Sequence, residues 1–504
     1  MQVEDIGNTI NQHEDTDATV IRKLGAAERI RIQEMSQLSH YDRQRIQEEI
    51  HGVCSMAVQE TPEVVVAALE QFDHYLAAAT AAQTMENTAY FVARSHGLSC
   101  HYVLTNRDFH LKFLRADFFH APRSVQRYLK NIAILYKYFG LVALQRPIRF
   151  SDLNKEEQLE IKSGHLLQIL PSRDRAGRLI LVMLGGPATM TKVPVRSTLY
   201  IVNTASQDVA TQRLGAVLIW AGCVTMAVKF RRVHESLQEM WPADPIRYSA
   251  MHMCLPPGPL FNVLRAAIFF NVMATDRIRA IVHGELSSIE CQYSLMCFGI
   301  PADQLPVTNS GKVKTKPNLR LLKALQFIDS CSADNTGSVG FPFQQQQQQQ
   351  PHQQQFDGIL FPNVKDVLFS RGGSAKRHFG NIEFQGLLES AFIKYNTMGS
   401  PTYQRVQLAC SEVLDVILSS GGRLLTLHRD GAWWVEIVDP VERQSRIKAA
   451  WYDHIRRTNA QRQQQDTSSD TMQFVDLTPS SSSAAACTTS ETRGGCCSPN
   501  QTKD

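Results

Sequence analysis

Four short apolar runs, each separated from the next by enough chain for a helix, constrain this fold more than any other feature. They are Arg178–Leu184 (RLILVML), Leu214–Trp220 (LGAVLIW), Tyr248–Leu255 (YSAMHMCL) and Ile278–Val282. A strand with one wet face alternates apolar and polar residues, whereas a continuous run is dry on both faces. The spacers supply the crossovers that parallel strands need. The runs therefore predict an α/β fold, with a mixed sheet covered by helices.

Helical periodicity dominates upstream of the runs. Thr61-Pro62-Glu63 opens a helix, because Thr caps, Pro fits the first turn and Glu complements the positive helix end. Val64, Ala67, Ala68, Phe72, Tyr75 and Leu76 then share one face. A second helix opens at Pro122 and carries Val125, Tyr128, Leu129, Ile132, Leu135, Tyr136 and Phe139 to a stop at Gly140. Residues 1–22 read as a disordered start, 23–150 as a helical lead-in and 151–330 as the sheet domain. Residues 331–361 read as a linker, with seven glutamines from Gln344 to Gln350. A small α+β domain follows at 362–462, then a Ser/Thr/Gln-rich tail at 463–504 that lacks the apolar surface to fold alone.

Charge and motif content narrow the function classes. Lys plus Arg number 52 against 48 for Asp plus Glu, so any patch for a polyanion is local. The polar, acidic start MQVEDIGNTINQHEDTD has no leader pattern, and the apolar run from Leu214 to Val228 is too short to span a bilayer. The 11 cysteines fall outside metal-ligand spacing, so neither a metal nor a cofactor is expected. No nucleophile elbow, HExxH, P-loop or dinucleotide fingerprint is present, and the reading is of a non-enzyme.

The segment His110-Leu-Lys-Phe-Leu-Arg-Ala-Asp-Phe-Phe119, with the helix after it, resembles the lead-in of CRAL-TRIO (Sec14-like) domains. Gly177-Arg178 before the first run, Tyr248 to Phe261, Thr275-Asp276-Arg277-Ile278, and Phe298-Gly299-Ile300-Pro301 with Leu305-Pro306 follow in that family's order. The resemblance implies a pocket for a lipophilic small molecule or phospholipid, closed by a gate helix at Phe261–Met273, with lipid transfer through transient contact with a membrane surface. Trp220, Tyr248, Met251, Met253, Phe261, Leu264, Ile268, Phe269 and Met273 are the candidate ligand-binding residues. The run from Leu260 to Met273 is apolar nearly all round, so it is either a core helix or a lid. Trp220-Ala-Gly-Cys223 stands where the family carries an acidic residue, and no phosphoinositide headgroup site is assigned. His252 reads as a core histidine.

The last domain carries Asp366-Val-Leu, Arg371-Gly-Gly373, His378-Phe-Gly-Asn381 and Gly421-Gly-Arg-Leu424, and Asp430-Gly431 marks a hairpin turn. These motifs resemble an uncharacterised domain abundant in diatom-type algal proteins. The element order, strand, two helices, hairpin and helix, also resembles a winged helix. Its candidate interaction surface comprises Arg371, Lys376, Arg377, His378, Asn381, Arg423 and Trp434. With 14 basic against 10 acidic residues between Pro362 and Arg462, an unknown protein partner is favoured over nucleic acid. The leading expectation is a cytoplasmic, peripherally membrane-associated lipid-binding protein whose C-terminal domain recruits a partner. The alternative is a nucleic-acid-binding regulator acting through that domain, with the nucleus left open.

Overall fold

The structure is a computed structural model. It describes residues 29–184, 194–222, 239–258, 261–263, 265–266, 269, 274–333, 358–370, 373–397 and 402–473. The chain divides into two compact units at Ile447–Lys448, and everything below concerns the first unless stated.

The lead-in is helical, as its periodicity predicts. After a helix at 29–36, Ser39 caps α1 (His40–Ile50), and Thr61 caps α2 (Pro62–Ala79) by accepting from the Val64 amide at 3.3 Å. Next come α3 (Thr88–His96), α4 (Arg107–Ala116), capped by Asn106, and α5 (Ala121–Phe139). Phe72, Phe109 and Phe113 pack their rings around Tyr128, whose hydroxyl donates to the Val103 carbonyl at 3.0 Å. Between α4 and α5, Phe118 and Phe119 both adopt positive φ, 54° and 62°, which costs on the order of 1 kcal/mol each in residues with a Cβ. The turn is held from outside, because the Arg247 guanidinium lies 4.6 Å from the Phe118 ring centre.

The predicted sheet forms. Its strands are β1 (Leu167–Ile169), β2 (Leu179–Met183), β3 (Ala216–Ala221), β4 (Tyr248–Cys254) and β5 (Ala280–His283), in the spatial order β1-β2-β3-β4-β5. β1 is antiparallel to β2 and every later pairing is parallel. The crossover from β2 to β3 covers one face of the sheet. That face carries Leu181, Met183, Leu218, Trp220, Met251 and Met253, and it packs against Tyr200 and Ile201 of α6 (Val195–Ala205) and against Phe269. On the other face, Ile180, Val217, Ile219 and Ala250 meet Ile46 and Ile50 of α1 and Leu295 of α7 (Ile289–Cys297). Both faces are dry, which is why the runs do not alternate. An α-helix, α8 (Lys316–Ala333), closes the region, and Leu322, Leu325 and Ile328 join the first face.

The C-terminal domain is a three-stranded sheet with two helices. β6 (Val367–Phe369) leads through α9 (Phe379–Asn396) and α10 (Thr402–Ser419) to β7 (Leu424–Leu427), which lies parallel to it. The predicted hairpin then pairs β7 antiparallel with β8 (Trp434–Glu436), and Gly431 takes φ 68° in its turn. A long helix, α11 (Pro440–Gln473), follows and carries the chain into the second unit. The domain is joined tightly to the sheet region. Phe361, at the end of the span read as linker, is 6% exposed within the first-face core. The buried Arg173 guanidinium donates to the carbonyls of Pro362 at 3.1 Å and Phe361 at 3.3 Å while it pairs with Asp208 at 2.8 Å. Phe327 of α8 stacks on Trp433 at 4.7 Å.

Candidate functional site

The strand register brings the sequence-derived ligand residues together only in part. Trp220 pairs with Met253, and Leu218 with Met251, in the parallel register of β3 and β4. Trp220, Met251 and Met253 are each 1% exposed and Phe269 is 3% exposed, all in one cluster that the half-buried Phe261 packs against. Trp220 and Met253 sit toward the carboxyl ends of their strands, the end where open α/β sheets bind ligands. Gly222 lies two residues beyond Trp220, and a Cβ there would meet Leu255 Cδ2 at 2.2 Å, so the Leu255 side chain would have to shift. Leu264, Ile268 and Met273 lie outside the described residues.

Tyr248 belongs to the same buried cluster but lies at the far end of its strand. It begins β4, about 16 Å from Met253 along the strand at 3.3 Å per residue. Its hydroxyl donates to Asp244 at 2.5 Å, and its ring tilts against Trp241, whose indole N–H donates to Asp276 at 2.7 Å. Burial pushes the Asp244 carboxyl up to about 7, against the pull of the Tyr248 hydroxyl and Arg127, and it raises Asp276 as well. Arg127 grips Asp117 with two bonds of 2.8 and 2.9 Å and reaches the Asp244 carbonyl at 3.0 Å.

Beside this cluster, Glu49 of α1 is fully buried and ion-paired to Arg247 at 2.9 Å and Arg279 at 3.1 Å. Arg178, itself paired with Asp174 at 2.5 Å, donates to the Glu49 carbonyl. Each of these arginines immediately precedes a strand or its predicted run. That recurrence, an Arg immediately before β2, β4 and β5, is the sequence signal that would have located the clamp.

On the second face of the sheet, the His252 Nδ1 is 2.9 Å from the His283 Nε2, and the His283 Nδ1 is 3.0 Å from the Ser294 hydroxyl. Burial pulls His252 well below the usual imidazole range and His283 down to about 4, so the pair is neutral at pH 7. Among the described residues the Nε2 of His252 has no hydrogen-bond partner. Among the described residues no group of three or more His, Cys, Asp or Glu could hold a metal ion. No described helix is long and apolar enough to cross a membrane.

The residues proposed for the C-terminal interaction surface divide sharply. Lys376 and Arg377 are exposed, whereas His378 is buried and Arg371 lies outside the described residues. Asn381 turns inward: its Oδ1 accepts from the Leu368 amide at 2.7 Å and its Nδ2 donates to the Leu368 carbonyl at 2.9 Å, which satisfies the open edge of β6. Arg423 donates from its backbone and guanidinium to the fully buried Asp366 at 2.8 to 3.1 Å. Trp434, in β8, is half-buried and exchanges backbone bonds with Ile359 at 2.7 and 2.9 Å. Gly380 is required by contact, since a Cβ would lie 2.3 Å from the Asp366 carbonyl oxygen. Most of these motif residues therefore hold the domain together.

No curated protein matches the chain. No match to a CRAL-TRIO family accompanies the central region. Residues 366–449 match the family described as a domain of unknown function (DUF6824).

Proposed function

We propose that the central sheet region binds a lipophilic ligand, in the manner of the CRAL-TRIO domains it resembles, and that the C-terminal domain recruits a protein partner. The observation that carries the first half is the convergence of Trp220, Met251, Met253, Phe261 and Phe269 on one sheet face, toward its carboxyl edge. An acyl chain leaving a bilayer gives up about 0.8 kcal/mol per methylene, so only a deep apolar pocket repays the transfer, and these side chains would supply its wall. A transient encounter with a membrane surface, followed by uptake or transfer of the lipid, fits a chain with no described spanning helix.

The nucleic-acid reading has less support. Arg377 is paired with Asp303, a carboxylate from outside the domain, which leaves less free positive charge on it than its composition suggests. Native mass spectrometry of the full chain, with organic extraction, tests the ligand half. A stoichiometric lipophile is expected in the parent, and it should be depleted in a Met253→Trp variant that still unfolds cooperatively. A parent that carries no lipophile and extracts none from vesicles would sink the proposal.

A further inference from the structure

A groove of about 1060 Å³ opens on the flank opposite the candidate ligand face. One wall is α7, where Ile289, Tyr293 and Met296 recur at i, i+4 and i+7 and are 51%, 64% and 48% exposed. Such spacing marks a single helical stripe, and a stripe in contact only with water would be polar. The facing wall is the start of α9, where Phe379 lines the groove and Ile382 is 56% exposed. Gly299 to Ala302 and Val307 also line it. Each wall thus comes from a different part of the chain, one from the sheet region and one from the C-terminal domain.

The rim is positively charged. Arg175, Lys314 and Arg377 line the groove against a single carboxylate, Asp303. Arg377 pairs with that carboxylate at 2.8 Å. The Arg175 guanidinium donates to the carbonyls of His51 at 2.8 Å and Gly52 at 3.3 Å, and the Lys314 ammonium to the Asp303 carbonyl at 3.3 Å. Among the described residues no ion pair neutralises Arg175 or Lys314, so an occupant of the groove meets two uncompensated cations beside an apolar floor.

We propose that this groove is the docking site for an amphipathic acidic helix of a protein partner. The apolar stripe from residue 289 to 296 runs about 10 Å along its helix axis, the length over which two turns of a partner helix set apolar residues into a groove. Acidic side chains flanking that apolar face would meet Arg175 and Lys314. The site is concave, which suits a peptide and not the plane of a bilayer. The inference rests on the partner-recruiting half of the reading above and is independent of the lipid half.

The test pans a displayed library of random peptides of about 15 residues on the full chain, then measures the best binder by fluorescence anisotropy. Enriched sequences should carry apolar residues at helical spacing flanked by Asp or Glu. Tyr293→Asp and Met296→Asp should each weaken binding by about tenfold or more, and Arg175→Glu should weaken it and flatten its salt dependence. Ile393→Asp, an equally exposed apolar position elsewhere on α9, should leave binding unchanged. Because the substituted side chains are exposed, melting should stay at the parent value. Peptides that bind Met296→Asp as well as the parent would reject the groove and leave recruitment to another surface. Failure to enrich any peptide would overturn the groove and the recruiting role together. Binding to phosphatidylglycerol vesicles that Met296→Asp abolishes, with no peptide enriched, would assign the patch to membranes and overturn the proposal.

Discussion

Replacing Glu49 by alanine should be among the most damaging single changes in the chain, although the residue lies in a helix of mostly polar composition. The carboxylate is fully buried and accepts from Arg247 at 2.9 Å, from Arg279 at 3.1 Å and from the Met56 amide at 2.9 Å. Both arginines are under 9% exposed, so removing their shared partner strands two guanidinium ions away from water. Breaking one buried ion pair in this way costs about 3–5 kcal/mol, and here one deletion breaks two. Partial relief comes from the contacts each arginine keeps, Arg247 with the Leu214 carbonyl at 3.0 Å and the Phe118 ring, and Arg279 with the Met56 sulfur. The expected loss is therefore about 4 kcal/mol, a large part of the 5–15 kcal/mol typical of a folded protein. Urea unfolding of the parent and Glu49→Ala, followed by tryptophan fluorescence, measures it. Asp73→Ala, which breaks the exposed pair with Arg107, should cost less than about 1 kcal/mol and calibrates the assay. Combining Glu49→Leu with Arg247→Met and Arg279→Met should recover most of the loss, because apolar replacements remove the stranded charges. A Glu49→Ala variant within about 1 kcal/mol of the parent would refute the reasoning.

Two further outcomes are specific. Asp244 has its carboxyl raised to about 7 when folded, so between the ordinary aspartate value near 4 and that figure the folded state holds a proton the unfolded state has lost. Stability should therefore fall as pH rises through that window and level off above it; the urea midpoint should drop between pH 5 and 7.5 by less in Asp244→Asn than in the parent, and equal drops would reject the assignment. Two glycines of α9 should respond with opposite signs. Gly380→Ala drives a Cβ against the Asp366 backbone and should cost about 1–3 kcal/mol, whereas Gly386→Ala points into open space and should stabilise by about 0.5–1 kcal/mol, both read by thermal melting.

How far each part was legible in the sequence follows from what kind of signal it leaves. β2, β3 and β4 announce themselves because a strand dry on both faces is a continuous apolar run, and β5 leaves a shorter apolar run although it is only partly buried. β1 does not, since its three residues, Leu167 to Ile169, form an edge with no turn signal of their own. Trp220, Met251 and Met253 stand in continuous apolar runs, which marks them as buried, whereas the distance of Tyr248 from them along the strand is fixed only by the register. Glu49 was invisible for a different reason. In His40–Ile50 it stands among Glu, Gln and Arg residues that read as a solvated face, and only the sheet beneath reveals that this helix turns a carboxylate inward.

The same limit governs the C-terminal domain, with a consequence for function. A polar motif such as His378-Phe-Gly-Asn381 looks like a surface made for a partner, yet Asn381 spends both ends of its amide on the Leu368 backbone and Arg423 is held by Asp366. Residues that maintain a fold are bound to their own chain, so they are poor candidates for contact with another. The groove residues have the converse pattern. Tyr293, Met296 and Ile382 are large, apolar and exposed, and no motif drew attention to them. Their two helices face one groove while Phe361 and Arg173 fasten the C-terminal domain to the sheet region. If that fastening sets the groove's width, Arg173→Ala should weaken peptide binding without altering any residue that lines the groove, whereas unchanged affinity would separate recruitment from the packing of the central sheet.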